Sequence, residues 1–132
     1  MPSPPALPPN GYDVLRVASN DRVCTTDPDT GEVFIGIRDD LGRQLDRASG
    51  LEIDSTAHHS YWIRPDDPLS AKTEGAWTFA YRRGDWSVRT ETMTRMTAST
   101  SSFRLEGLLQ AYEGDELLFE KVWDEEILRD HM

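Results

Sequence analysis

This sequence has little of what would place it quickly in a functional class. It holds one cysteine, Cys24, so no internal disulfide can form and nothing points to an oxidising compartment. A lone thiol of this kind is expected to sit buried as a small, inert hydrophobe. No apolar run approaches the ~18 to 20 residues of a membrane-spanning helix. The amino terminus lacks the basic start and apolar core of a secretory signal, so a cytoplasmic location is expected. Positive charge is also scarce: 14 Lys and Arg stand against 24 Asp and Glu, a formal charge of -10. Repulsion from phosphate backbones and anionic lipid then removes nucleic acid and membrane from the expected partners.

Catalytic spacings are missing too. There is no Cys-x-x-Cys or His-Glu-x-x-His pattern, so neither a metal nor any other cofactor is expected. There is no Gly-x-Ser-x-Gly elbow, which would in any case need a strand-to-helix turn in an α/β sheet. No self-contained hydrolase triad is visible, and whether the chain is an enzyme stays open at this point.

What the sequence does have is alternation. In GAWTFAYRRGDWSVRTETMTRM, from Gly75 to Met96, the rings of Trp77, Phe79 and Tyr81 share one parity before a break at Arg82 to Asp85. After the break Trp86, Val88, Thr90, Thr92 and Thr94 do the same. Period two with one buried face describes a hairpin, with Gly84 supplying positive φ and Asp85 bonding back to nearby backbone. Arg83-Gly84-Asp85 also spells an integrin-binding tripeptide, but turn chemistry explains it fully.

Along the rest of the chain, the Pro-rich stretch from Met1 to Gly11 reads as a tail or strap, and residues 12–132 as a single domain. Two short strands are expected between Tyr12 and Thr26, then a strand from Glu32 to Arg38 with Gly36 as a bulge site. Asp39 to Gly42 is expected to reverse the chain into a hairpin partner ending at Arg47. Leu51 to Arg64 predicts a bent strand or a strand pair. Pro65 and Pro68 predict a rigid corner that no continuous ladder crosses, its Asp66 and Asp67 accepting backbone N–H bonds. Phe103 to Tyr112 and Leu117 to Trp123 predict a further hairpin, followed by a helical turn or an edge strand. Turns at this spacing, with no sustained helical period, predict an all-β, antiparallel β-sandwich of jelly-roll type or a partly closed barrel.

Candidate chemistry is thin. His58 and His59 are the candidate acid–base residues, with Tyr61 beside them; as strand neighbours the histidines point to opposite faces and cannot grip one metal. Trp62, Trp77 and Trp86, with Trp123 as the fourth indole, are the candidate lining of a pocket for a hydrophobic small molecule.

Several stretches carry a resemblance: GLEID from Gly50, IRPDDPLSA from Ile63, RGDW from Arg83, RTET from Arg89, FRLE from Phe103, AYEG from Ala111, then Phe119, WDEEI from Trp123 and Arg129-Asp130. Their order and spacing resemble the C-terminal portion of bacterial X-Pro dipeptidyl-peptidase and cocaine-esterase-type hydrolases over roughly residues 12 to 130. The resemblance implies a jelly-roll-like β-sandwich. It implies ester or amide hydrolysis only on a separate α/β-hydrolase domain that carries the triad, and no catalytic residue transfers to this chain. It also implies a sheet face that another body covers, with an α/β-hydrolase partner or a homodimer as the expected association. Leu128 and His131-Met132 depart from the proline and apolar end expected around Arg-Asp.

Overall fold

The structure, a computed structural model, describes residues 11–130. Eight strands account for nearly all of them: β1 (Tyr12–Arg16), β2 (Ser19–Thr26), β3 (Val33–Asp46), β4 (Glu52–Arg64), β5 (Asp67–Arg83), β6 (Trp86–Ala98), β7 (Ser102–Glu113) and β8 (Glu116–Leu128). Every pairing is antiparallel, and no helix is present among the described residues. The class is all-β and consistent with the sandwich or jelly-roll-like expectation. The strands lie in one sheet in the order β1-β3-β4-β5-β6-β7-β8, with β2 pairing the other half of β3. It is open: among the described residues no ladder joins β8 to β1 or β2. The Pro-rich stretch lies outside the described residues, save for Gly11.

The local chemistry sets the connections. β5 and β6 pair up to Arg83 and Trp86, leaving Gly84-Asp85 as a two-residue turn with φ 59° at Gly84. β7 and β8 repeat this with Gly114-Asp115. The β5–β6 turn preserves parity, so the alternation passes directly between those strands, whereas in β7–β8 a register shift between Ala111 and Tyr112 moves the pairing by one residue, to Phe119. The result is two unlike faces. One holds Ile35 and Ile37, Trp77, Phe79 and Tyr81, Val88 and Leu105. The other holds cross-strand ion pairs such as Arg95 with Glu74 at 2.9 Å and Arg104 with Asp124 at 2.7 Å.

Four expectations need correction. Asp39 to Gly42 does not reverse the chain: β3 runs straight through, with a register shift between Asp40 and Gly42. Gly42 adopts φ 83° there, and Asp40 Oδ1 accepts its N–H at 2.8 Å, so the same residues that suit a turn make a bulge. Gly36, by contrast, is in regular register, with the Phe34 ring lying over the space its missing side chain leaves. The proline corner is a hairpin: Arg64 pairs Asp67 across Pro65-Asp66, and the ladder shifts before resuming at Trp62 and Lys72. Of the two aspartates it is Asp67 that accepts a backbone N–H, from Leu69 at 3.1 Å. Finally, Cys24 is exposed, because β2 is an edge strand with its far side unpaired.

β1 is short and held by charge. Arg16 donates from Nε to Asp40 at 2.9 Å and from Nη1 to Asp54 at 3.1 Å, joining β1 to β3 and β4 on the charged face. Hydrogen bonds from Arg16 hold both carboxyls below their ordinary 3.8. Hydrogen bonds from Arg47, Ser49 and Arg104 do the same for Asp13, Asp46 and Asp124. Since the folded pKa values are the lower ones, this stabilisation is complete above the ordinary carboxylate range. It is lost as pH falls through 3.8 toward the folded values. The urea midpoint is therefore expected to be flat from neutral to about pH 5 and to fall below about pH 4. Arg16→Gln should reduce that fall, and hydrogen exchange should show lost protection in β1 while β5 and β6 stay protected.

Candidate functional site

The candidate site is the apolar face. Its centre is β5, where Trp77 and Phe79, two residues apart, stack with ring centroids 5.6 Å apart and planes 4° from parallel. His59 meets Trp77 edge-on at 5.6 Å. Beside this ridge β6 offers shallower residues, Thr92, Thr90 and Val88, directly opposite Trp77, Phe79 and Tyr81. Among the described residues burial is slight: Ala57, across from Trp77, is the one buried apolar residue, at 1% exposure, while Phe79, Tyr81 and Trp86 remain exposed. A sheet face of this composition left open to water is a poor end state, because apolar burial is the main favourable contribution to folding.

The predicted site residues do not form one constellation. His59 and Tyr61 lie on the apolar face and His58 on the charged face, where its cross-strand neighbours are Arg38 and Ala76. His59 stands between Ile37 and Gly75, so its opposite neighbours include no carboxylate to orient the imidazole for base catalysis. Among the described residues, no group of three or more His, Cys, Asp or Glu side chains is placed to hold a metal. Trp77 and Trp86 share the apolar face, but Trp86 pairs Arg83 at the hairpin end, six residues along β6 from Trp77's partner Thr92, or roughly 20 Å. Trp62 belongs to the other face, against Phe34 at 5.2 Å and beneath Lys72 at 4.2 Å. The three indoles therefore line no common pocket.

One depression on the apolar face does gather aromatic and apolar groups. It is open to solvent and lined by Met96, Leu105, Gly107 and Trp123, with Thr73 and Thr94 at its edge. Gly107 makes it possible: a Cβ there would lie 3.3 Å from the Trp123 ring. Trp123 is the one of the four candidate indoles that lines this depression, and Met96 carries no such signal in the sequence. The signal available was the parity shared by Leu105 and Leu109, which places β7 on the same face.

The charged face is a solvated surface of paired side chains. Arg89 lies over the Tyr112 ring at 4.2 Å, and Glu126 accepts a hydrogen bond from Ser102 at 2.6 Å. No helix among the described residues is long and apolar enough to cross a membrane. Compared with protein-family models, curated proteins and solved structures, the chain matches none of them.

Proposed function

We propose that this chain is an accessory β-sheet domain of the kind that accompanies ester and amide hydrolases. It acts by laying its apolar face on a hydrolase domain or on another copy of itself, with no bond-breaking chemistry of its own. The observation that carries this is a ring-rich sheet face in a chain where Ala57 is the one buried apolar residue among those described. The resemblance to the C-terminal portion of X-Pro dipeptidyl-peptidase and cocaine-esterase-type hydrolases supports the hydrolase half of the proposal. A hydrophobic small molecule is the second occupant to consider, and the depression beside Trp123 is where it would bind.

Sedimentation velocity run beside titration with the dye 1-anilinonaphthalene-8-sulfonate tests this. Either a dye-binding monomer or an assembly of more than one chain is the expected result. A compact monomer that leaves the dye dark would contradict it, and so would rapid hydrolysis of p-nitrophenyl esters by the purified chain. Saturable quenching of tryptophan emission by a fatty acid, lost in Trp123→Ala, would move the assignment to ligand binding.

A further inference from the structure

We propose that the body covering the apolar face is a second copy of this chain, the two sheets laid face to face about a two-fold axis running along the strands between β5 and β6. This rests on the association function above and names its partner.

Area is the first support. The chain exposes 9931 Å², whereas a compact monomer of 15.0 kDa exposes about 7,000 Å². Granting the residues outside 11–130 the full exposure of an unfolded chain still leaves about 1,400 Å² too much on each copy. Removing that excess from two copies would bury about 2,800 Å² in total, within the ~2,000 to 5,000 Å² of an obligate homodimer.

Charge is the second. Along the paired registers of β5, β6 and β7 the apolar face carries formal charge only at Arg83 and Glu113, both at one end. On the β8 edge Glu116, Glu120, Asp124, Glu125 and Glu126 outnumber Lys121. A copy approaching through that edge brings like charges together; on the apolar face β8 adds Lys121 and Glu125 and β3 adds Asp39, and the axis described lays Asp39 over Lys121 of the second copy, an opposite-charge pair.

Relief is the third. β5 is a ridge of Trp77, Phe79 and Tyr81, and β6 beside it is a shallow row of Thr92, Thr90 and Val88 at the same heights. The axis described turns the ridge of each copy onto the shallow row of the other. Phe79 then meets Thr90 of the second copy, and the contact occurs twice by symmetry, as an isologous interface requires.

The test is sedimentation equilibrium on the full chain and three variants. The wild type is expected at twice the chain mass. Phe79→Lys and Thr90→Glu, each alone, bury two unpaired charges at the interface and should raise the dissociation constant at least about 100-fold. Mixing the two variants in equal amounts should restore the two-chain species, because one contact becomes an opposite-charge pair and the other stays native. Thr78→Lys, on the charged face, should leave association unchanged. Retention of the far-UV β signature separates dissociation from unfolding, and recovery on mixing is a result that misfolded chains cannot give. A wild-type monomer that binds the dye overturns the second copy but leaves the uncovered face in need of another partner. A dark monomer overturns both. A dimer indifferent to Phe79→Lys and Thr90→Glu overturns this face as its interface.

Discussion

Replacing Gly42 by alanine is expected to cost about 3 to 4 kcal/mol of stability, read as a lower urea midpoint at unchanged slope. Gly42 holds φ 83°, in the left-handed region where a Cβ costs roughly 1 to 2 kcal/mol. The larger part comes from what the new methyl would meet: the carbonyl oxygen of Arg16 at 2.4 Å and the backbone nitrogen of Ala18 at 3.1 Å. Those are backbone atoms of the β1–β2 connection and cannot rotate away, so the chain itself must shift. Gly84 is the control. It too has positive φ, at 59°, but nothing lies within 4 Å of its Cβ position, and its alanine variant should lose only about 1 to 2 kcal/mol. Equal losses at the two positions would show that the Gly42 bulge is not packed against β1.

Trp77→Ala is expected to cost about 3 to 5 kcal/mol, the range for an aromatic ring removed from a closed core. In the single sheet Trp77 is only half-buried, touching His59 and Phe79, and an uncovered ring of that kind should cost roughly half as much. The size of the loss therefore reports whether another layer covers the apolar face. Folding coupled to association also makes the midpoint rise with protein concentration. A small loss, with a midpoint independent of concentration, would place Trp77 on an open surface.

The centre of the sheet was legible in the sequence because the two-residue Gly84-Asp85 turn keeps parity between β5 and β6, a rule that the bulge between Ala111 and Tyr112 breaks in β7 and β8. The rings of β5 and the alternation of β6 gave their common face, and adjacency alone put His58 and His59 on opposite faces. The same adjacency puts Tyr61 and Trp62 on opposite faces, but which of them joins Trp77 is set by the register shift between Trp62 and Arg64. Residue type alone groups three indoles that the registers divide. Gly42 was misplaced for a different reason: positive φ after Asp-Asp-Leu suits a reverse turn and a bulge equally. The choice is made by β1, which crosses β3 there through Arg16, Asp40 and Asp54, residues far apart in sequence. Cys24 followed the average behaviour of free thiols, which gives way once its strand lies at a sheet edge. The proline hairpin was legible as a corner, but its pairing depends on a register shift that Ser70 supports by accepting the Arg64 N–H at 2.7 Å.

Methionine oxidation reads the covering of the apolar face most directly, since Met93 and Met96 lie three residues apart on β6 and face opposite ways. In the uncovered sheet they are exposed by 52% and 38%. Brief treatment with hydrogen peroxide, followed by peptide mass spectrometry, should oxidise Met93 readily and leave Met96 largely intact. Oxidation of both at rates near the ratio of those exposures would show that water reaches the apolar face in solution.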